Sequence, residues 1–542
     1  MDSDASNEGS IVFRRKNVTL KRRRELILSS DSEAEELKGK ENNSTVNTWS
    51  RVNLDPHIYT FVDKDCGIKA GNINDSFNIL DYFKIFFSDN LMTDIVNATN
   101  NYYRYTVAHS DISPSLQNWS DATINELYTF LALTLIMSRM KKLSIKEYWS
   151  TNEVLRTDIF NKHMSRDRYL VLLKMLCFGD KESESSEDRL TKIRQPFDKL
   201  RETFQKSFCP FRNLCIDESL FLFKGRLFFK QYIPSKRNRF EIKLFVLCDC
   251  STGFVLDVIV YTGLTSEVQT FSEKLGKTGN IVATLMQPYL GKGHQLFVDN
   301  WYSSPALFQY LHSFATNACG TVKKQCKGMP KMSEKLEKGD LSFRSSGNLL
   351  ALKWQDKREV WMLSTSHSAE YKDCEKKNYQ TGENIQKPSC IIDYSKSMNI
   401  VDRSDAIINT VSSIRKTLKW YKKFFFHLLD ISIWNAYCLY KFNTKRTISM
   451  SEFHLTLITK LLNQYSESRQ YNPCTSSENL MRFKERHFPA PYNSNKTKRE
   501  NPLRRCIVCS KNNKRCSTRY YCKQCNVGLC VAPCFEIYHT KE

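Results

Sequence analysis

The apolar residues of this chain change their spacing along its length, and that change restricts the fold more than any single motif. From about residue 75 to 180 they recur three and four residues apart, as in TINELYTFLALTLIMSRM, which predicts helices. Between about 210 and 325 come LCIDESLFLF, FEIKLFVLCDC and GFVLDVIVYTG, which predict three successive strands. Helix and strand patterns then alternate as far as ACGTVKK. This order predicts a mixed α/β sheet.

Two strand-like stretches carry an acid that needs a physical explanation. Asp217 interrupts NLCIDESLFLFKGR, and Asp299 ends the apolar run in HQLFVDN. Desolvating a carboxylate without a partner is costly. Phosphoryl transfer on nucleic acid commonly uses two divalent metals about 3.5–4 Å apart, held by hard oxygen ligands. Both acids are therefore candidate metal ligands.

Other acids compete for this role. Asp249 ends the run LFVLCD, and Asp257 lies inside a strand pattern; an acid at a strand end is more often a turn residue or a cap. Asp402 and Asp405 are three residues apart in NIVDRSDAIINT and would share one face of a helix. Pattern alone does not select Asp299 over Asp249.

The charge of the chain favours a polyanionic partner. Its 542 residues carry a formal net charge of +23 with a pI of about 9.2, and residues 482–525 hold thirteen Lys or Arg against two Glu. Clustered basic charge is rewarded by phosphate neutralisation, so nucleic acid is the favoured partner. The sequence MDSDASNEGS is not a signal pattern, and charged or polar residues break the long apolar runs. We expect an unsecreted protein outside the membrane.

Nineteen cysteines in such a protein suggest thiols or metal ligands rather than disulfides. Seven lie within residues 506–534, where two C-x2-C pairs have the spacing of zinc knuckles. Two closed tetrahedral sites need eight ligands. The candidates are Cys506, Cys509, Cys522, Cys525, Cys530, Cys534, His539 and, as the eighth, His487. Cys516 breaks the paired spacing and is expected to be spare.

Interleaved pairing would divide these ligands into two sets. The first set would be Cys506, Cys509, Cys530 and Cys534, and the second Cys522, Cys525, His539 and His487. Since fewer than fifty residues bury little core, two Zn²⁺ ions would supply the folding energy. Redox-active thiols are a weaker interpretation, and His487 could be a linker histidine. A two-zinc fold could also serve as a ubiquitin-ligase module or a histone-tail reader.

Basic residues follow the candidate acids. Lys224 and Arg226 come after Asp217, and SSIRKTLKWYKKFFF follows Asp405. The candidate phosphate contacts in that second segment are Arg415, Lys416, Lys419 and Lys423. The last three would lie on one helical face and position DNA without reading its sequence. Trp420 could stack on a base, but a tryptophan in a basic helix is more often packed into the domain. For Trp301, lining a DNA channel and packing in the core are equally plausible.

Four segments carry a family resemblance: DESLFLFKGR, VDNWYSS, MNIVDRSDAIINTVSSIRKTLKWYKKFFFHLLDISIWNAY and the tail RRCIVCS…RYYCKQCNVGLCVAPCFEIYHT. Together, and in the family's order, they resemble the piggyBac family of DNA transposases. The resemblance extends over residues 75–542. The resemblance implies an RNase H-like catalytic core. It matches Asp217, Asp299 and Asp402 to the three metal-binding aspartates and Asp405 to a fourth acid. Two Mg²⁺ ions per site are implied, with Mn²⁺ as a substitute, and the zinc tail, including Arg504 and Arg505, would bind transposon ends.

The implied architecture is a multidomain α/β protein. Its RNase H-like core is interrupted by an insertion and flanked by a helical dimerisation and DNA-binding domain. A two-zinc domain follows at the C-terminal end. The expected segments are a disordered arm (1–50), the helical domain (51–195 and 436–480), the core (196–324 and 396–435), the insertion (325–395), a linker (481–500) and the zinc domain (501–542). The insertion matches the family mainly by position.

The implied activity is cut-and-paste transposition through hairpin ends, with integration at TTAA sites. The partners would be double-stranded DNA, as terminal repeats and target, and a second copy of the chain. We expect a nuclear location, which the basic clusters of FRRKNVTLKRRRE would support as an import signal. The main alternative is a host-adopted DNA-binding protein whose nuclease is silent. A chromatin or ubiquitin adaptor ranks last, because it has no use for four matching acids.

Overall fold

The structure is a computed structural model that describes residues 48–69, 73, 76–110, 114–180, 187–232, 240–263, 266–377, 384–413, 417, 419–467, 487–492 and 502–540. The chain divides into two compact units, Met1–Glu467 and Ser468–Glu542. Predictions for the N-terminal arm, including its disorder and its import signal, lie outside the described residues. The domain boundaries predicted inside the first unit stay predictions.

Helices precede the sheet in the first unit. They are α1 (Ile79–Phe86), α2 (Asp89–His109), α3 (Ile124–Arg139), α4 (Asp158–His163), α5 (Arg166–Met175) and α6 (Arg194–Ser207), and two short strands, β1 (Gly67–Ile68) and β2 (Phe208–Cys209), pair beside them. Several helices begin where a side chain caps the first turn: Asn78 forms a capping box with Asp81 at α1, and Thr123 accepts from the Glu126 N–H at α3. The helices predicted over 75–180 are therefore present.

A nine-stranded sheet follows. Its strands are β3 (Asn213–Leu222), β4 (Gln231–Tyr232), β5 (Phe240–Asp249), β6 (Val255–Val260), β7 (Gln295–Val298), β8 (Asn317–Thr321), β9 (Leu341–Ser346), β10 (Leu349–Gln355) and β11 (Glu359–Ser364). The order is β4-β5-β3-β7-β8-β11-β10-β9, and β6 also pairs with β5. Helices α7 (Gly276–Met286) and α8 (Pro305–Ser313) connect the parallel strands, as crossovers between parallel neighbours must.

Five of these strands form the centre of the sheet. β6, β5 and β3 are antiparallel neighbours, whereas β3, β7 and β8 run parallel. The resulting order, β6-β5-β3-β7-β8, is the RNase H-like arrangement that the resemblance implied. Strands β9, β10 and β11 lengthen the same sheet as an antiparallel meander beyond β8.

The remaining elements of the first unit are a hairpin and four helices. They are β12 (Tyr371–Lys377), β13 (Asn384–Pro388), α9 (Ser389–Ser397), α10 (Ile400–Thr410), α11 (Trp420–Thr444) and α12 (Met450–Tyr465). Helix α11 is buried along most of its length and packs against α1 and α6, while α12 packs against α3. One hydrophobic core therefore includes the sheet, the helices that precede it in the sequence and the helices that follow it. No helix within the described residues has the length and apolar composition needed to cross a bilayer.

The second unit is small. Its elements are β14 (Pro489–Pro491), β15 (Arg504–Arg505), α13 (Ile507–Lys511), β16 (Ser517–Thr518), β17 (Tyr520–Cys522), β18 (Val527–Gly528) and α14 (Cys534–Thr540). Three of the five side chains in its buried core are cysteines, Cys506, Cys522 and Cys534. A core this small cannot supply much folding energy by apolar burial.

Candidate catalytic site and zinc-ligand clusters

Asp217 and Asp299 lie side by side on neighbouring parallel strands. The register pairs Ile216 of β3 with Val298 of β7, so the next residue on each strand is an aspartate. Adjacent strands are about 4.8 Å apart, which brings two half-buried carboxylates to the same edge of the sheet. The apolar residues before each acid form the buried strands that hold it in place.

Asp402 reaches this edge from a helix. The turn between α9 and α10 packs on β3, where the Cys215 thiol lies 3.6 Å from both the carbonyl oxygen and the Sδ of Met398. Val401 and Ser404 point into the core, and Asp402 stands exposed in the first turn of α10. The three predicted metal ligands thus converge from β3, β7 and α10.

The electrostatics of Asp217 show how close these acids are. The pKa of Asp217 is raised to about 7, mainly by burial; a hydrogen bond from the Glu218 N–H opposes the rise, and the charges of Asp402 and Asp299 add to it. A carboxyl group crowded by two others in a half-buried place is stabilised as an anion by a bound cation. The residues therefore fit a hard divalent metal.

The spacing of the acids also bears on how many ions they fit. Oxygens of the three side chains do not all lie within 4.8 Å of one another, as a single ion's ligands would. The number of ions that the acids hold therefore stays a prediction.

The sequence did not mark Thr321, which holds Asp299, or Tyr394, which lies beside Thr321. The Thr321 hydroxyl, at the end of β8, donates to Asp299 Oδ1 at 2.9 Å and lies 3.4 Å from the Tyr394 hydroxyl of α9. Neither residue stands in a pattern that marks it, although Thr321 ends the strand next to Asp299. The approach is tight, because a side chain at Gly320 would meet the Val298 carbonyl at 2.4 Å.

Asp405 lies on the same helix but toward β5. Burial is the main cause of the raised pKa of the Cys248 thiol, and the charge of Asp405 adds to it. It is half-buried, one helical turn from Asp402. Its charge is not among the main causes of the raised pKa of Asp217.

The competing acids have structural roles. Asp249 accepts from the Phe211 N–H and from the N–H and hydroxyl of Thr252, which closes the turn between β5 and β6. Asp257 accepts a bidentate pair of hydrogen bonds from Arg201, at 2.6 and 3.0 Å. Turn capping and a guanidinium partner explain why these strands tolerate an acid.

The predicted phosphate-contacting residues differ in their exposure to solvent. Lys224 and Arg226 are exposed in the loop after β3, and Lys419 is exposed just before α11. Lys423 is 9% exposed, and its ammonium donates to the Leu222 carbonyl. The shared helical face predicted for Lys416, Lys419 and Lys423 is wrong, because α11 begins at Trp420 and Lys419 has extended backbone. The predicted contacts Arg415 and Lys416 lie outside the described residues.

The two tryptophans near the acids pack against protein. Trp301 stacks on Phe245 with 5.5 Å between ring centroids, and the Lys243 ammonium lies 3.9 Å from its centroid. Trp420 meets Phe229 edge to face at 5.3 Å. These contacts favour the packing interpretation of both rings.

Four cysteines of the second unit form one ligand cluster. The sulfurs of Cys506, Cys509, Cys530 and Cys534 lie within 4.8 Å of one another, and those of Cys509 and Cys534 are 3.4 Å apart. Ligands at 2.3 Å from a tetrahedral zinc are about 3.8 Å apart. Burial raises the pKa of Cys506, but hydrogen bonds with the backbone N–H groups and the thiols of Cys509 and Cys530 outweigh it and bring the pKa to about 7, which favours a thiolate at this position.

The second cluster joins two cysteines and two histidines. His487 Nδ1 is 3.2 Å from Cys522 Sγ and 3.3 Å from Cys525 Sγ, and Cys525 Sγ is 3.7 Å from His539 Nε2. His539 Nδ1 hydrogen bonds to the Phe535 carbonyl at 2.7 Å, which directs Nε2 to the cluster. The grouping agrees with the interleaved sets, including His487 as the eighth member. Both clusters fit Zn²⁺, and the exposed Cys516 belongs to neither.

Comparisons with known proteins agree with this arrangement. A family model described as Transposase IS4 matches residues 80–437, and one described as a DDE_Tnp_1-like zinc finger matches residues 491–540. PiggyBac transposable element-derived protein 3 of Homo sapiens is 24% identical over 492 residues, which cover 86% of this chain and 78% of that protein. PiggyBac transposable element-derived protein 5 of Homo sapiens is 22% identical over 418 residues, covering 74% and 78%.

A solved structure shares the fold. The chain in a cryo-EM structure of a piggyBac transposase synaptic complex with hairpin DNA matches with a TM-score of 0.66 and 22% identity, over 87% of this chain and 100% of that one. The multidomain fold, with its RNase H-like sheet and a C-terminal zinc-finger domain, is thereby confirmed. Since the first family model also spans most of the chain, this protein belongs to the piggyBac family of transposases.

Proposed function

We propose that this protein is a cut-and-paste DNA transposase. The observation that carries the proposal is the convergence of Asp217, Asp299 and Asp402 at one edge of the sheet, with the charges of the last two acting on the first. A protein that only binds DNA has no need for three acids that meet at one edge of the sheet. Their mutual repulsion would be a cost without a cation to offset it.

The residues of this chain would divide the work. Asp217, Asp299 and Asp402 would hold two Mg²⁺ ions, or Mn²⁺, which supply a Lewis acid and a more acidic bound water when present. Thr321 keeps the Asp299 carboxylate in place through its hydroxyl. Asp405 would support the cluster. Lys224 and Arg226, exposed after β3, would contact phosphates beside the scissile bond.

We propose the same acids for every step of the reaction. Water would cut at each 3′ end of the transposon. The freed 3′-hydroxyl would attack the opposite strand to give a hairpin, and the flanks would rejoin at TTAA. After the hairpin opens, the 3′-hydroxyl would attack a new TTAA site. Each step is an in-line displacement at phosphorus, so one arrangement of ligands serves all of them. The solved relative with hairpin DNA supports this scheme.

The second unit would recognise the transposon ends. Its two ligand clusters would hold two Zn²⁺ ions, and Arg504 and Arg505 are exposed on β15. Arg504 also lies over the Tyr492 ring at 4.7 Å. Because both ends must be processed together, we propose a dimer that acts on double-stranded DNA in the nucleus.

An excision assay in cells tests the proposal. The reporter would carry the DNA that flanks this gene's own copy. We expect TTAA repair with the intact chain and none with Asp299→Asn, because the amide cannot serve as an anionic ligand. Asp55→Asn, which changes an exposed acid, is the matched control and should excise normally. In parallel, the purified chain would be tested for metal-dependent cleavage of the same ends and for binding to them.

Binding to those ends without metal-dependent cleavage would contradict the transposase and support the host-adopted DNA-binding protein. Excision by Asp299→Asn at the level of the intact chain would contradict the role of the acid cluster.

A further inference from the structure

A large cavity lies outside the catalytic site. Its volume is about 720 Å³, and it opens between α3, α5 and the start of α11. Its wall is mainly apolar, with Met137, Leu170, Leu173 and Phe426 contributing side chains. Cavities of about 300–1,000 Å³ with such walls are typical of sites for small organic ligands.

The cavity is strongly basic. Five lysines line it, namely Lys141, Lys142, Lys174, Lys419 and Lys422, and none of its described lining residues is acidic. Asp430 lies behind the wall, where it accepts hydrogen bonds from the N–H and hydroxyl of Ser413. Burial raises the pKa of Asp430 to about 8, so this acid offsets little of the positive charge at neutral pH. The cavity therefore favours an anion.

Lys422 is the buried member of the set. It is 3% exposed, and its ammonium donates to the carbonyls of Leu173 and Lys174 at 2.6 and 2.9 Å. An ammonium has three protons to donate, and the described residues provide no carboxylate for this one. Burial lowers the pKa of Lys422 to about 7, with a further contribution from Lys419. An anion in the cavity would favour the charged form of Lys422.

Hydroxyl groups add polar contacts beside the apolar wall. Ser138, Ser412 and Thr417 all line the cavity, and hydroxyls can donate to phosphate oxygens or pair with the edge of a base. Tyr148 and Tyr169 also contribute to the wall. A ligand that suits this lining has an anionic group for the lysines and a flat, largely apolar ring for the rest.

We propose that this cavity binds one nucleotide, with its phosphate among the lysines and its base against the apolar and aromatic wall. The nucleotide can come from a DNA strand or from the free pool. Helix α10 leads from the site toward the cavity, since Asp402 lies in its first turn and Ser412, which lines the cavity, comes two residues after its last residue, Thr410. The DNA source rests on the proposed function, and it would place a displaced nucleotide near the strand being processed.

The test uses photo-crosslinking to the full-length chain, with cross-linked peptides identified by mass spectrometry. One arm uses 8-azido-AMP, and the other uses oligonucleotides of the transposon end with 4-thiothymidine at one position at a time. The variants are Lys422→Met, which removes the buried ammonium, and Lys141→Glu, at an exposed lysine of the rim. The exposed Lys357 on the β10–β11 turn supplies the control Lys357→Met.

We expect cross-links on peptides that contain residues 137–145, 169–174 or 420–426. Labelling should fall at least fivefold in Lys422→Met and threefold in Lys141→Glu, with less than a twofold change in Lys357→Met. Labelling by 8-azido-AMP identifies the free nucleotide as a source, and labelling by the oligonucleotide alone identifies DNA. Thermal melting checks that each variant folds. If Lys422→Met does not fold, Lys141→Glu still tests the inference.

Cross-links confined to other peptides would overturn the inference, as would unchanged labelling in a folded Lys141→Glu. Competition by inorganic phosphate as strong as by AMP would also overturn it, since the cavity would then be a simple anion site. A cleavage assay on the same preparations separates this inference from the transposase. Cleavage without cavity labelling would remove only the nucleotide site, and labelling without cleavage would remove only the proposed activity.

Discussion

At the scale of single residues, acids with the same sequence pattern have three different physical explanations. Asp217 is crowded by two other carboxylates, Asp249 closes a turn, and Asp257 is held by Arg201. Backbone N–H groups offset the charge of Asp249 and a guanidinium offsets that of Asp257, whereas Asp217 has two carboxylates beside it and would need a cation. Of the three acids, Asp217 alone belongs to the proposed catalytic site.

Thr321 gives a prediction at this scale. Thr321→Val keeps the shape of the side chain but removes the hydroxyl that donates to Asp299 Oδ1. We expect cleavage of the transposon end to fall about tenfold, since outer partners of metal ligands typically contribute 10–100-fold. Thr321→Ser keeps the donor and should retain most of the rate.

Cleavage kinetics over a range of Mg²⁺ concentrations would check this prediction. The loss in Thr321→Val should diminish as Mg²⁺ is raised, because a misplaced ligand weakens metal binding. Equal rates for Thr321→Val and the intact chain at low Mg²⁺ would contradict it.

At the scale of elements, the helices after the third acid hold the first unit together. α11 is buried along most of its length among α1, α6 and the sheet, and α12 packs against α3. A helix that is buried on nearly all sides belongs in a core, and this one carries basic residues inward with it. Lys422 and Lys423 donate to backbone carbonyls of other elements, which periodicity could not have indicated.

His454 of α12 is fully buried, and neither ring nitrogen has a hydrogen-bond partner among the described residues. Burial lowers the pKa of His454 to about 4, and Arg139 adds to the effect. The folded state therefore binds fewer protons than the unfolded state between pH 6.5 and 4. Stability is fully present above pH 6.5 and is lost as the pH falls through this window, by about 2 kcal/mol at pH 5 from this group.

His454→Leu should therefore stabilise the first unit, and more so at pH 5 than at pH 7.5. Urea denaturation at the two pH values measures the difference, with the exposed His109 changed to Gln as the control. A gain for His454→Leu that is the same at both pH values would show that His454 does not titrate in this window.

At the scale of the whole molecule, two units depend on different forces. The first unit has one extended hydrophobic core, whereas the second has five buried core residues and two ligand clusters. Apolar burial stabilises the first, and metal coordination would supply most of the stability of the second.

Metal removal tests this division. Treatment with 1,10-phenanthroline should expose the amides of residues 502–540 to hydrogen exchange and leave those of β3 protected. Cys506→Ser should reproduce the effect without a chelator, and Cys516→Ser, outside both clusters, should not. Hydrogen exchange with mass spectrometry measures both. Unchanged protection of residues 502–540 after chelation would contradict a zinc-dependent fold.

The zinc-ligand sets show how far the sequence could predict a site. Closely spaced C-x2-C pairs determine half of each set, because two ligands three residues apart must approach the same point. His487 lies 35 residues before Cys522, so no local rule could assign it. The interleaved grouping followed from counting ligands, and the structure agrees with it.

The sequence by itself determined the elements and the chemistry available to them. Periodicity decided where helices and strands form, and residue type decided that acids and thiolates were the candidate ligands, since both properties depend on neighbours along the chain. Only the tertiary structure decided which acids meet, that Thr321 donates a hydrogen bond to one of them, and that Lys422 is buried in the wall of a cavity. Strand order, register and helix packing join residues far apart in sequence, and those contacts leave no local pattern.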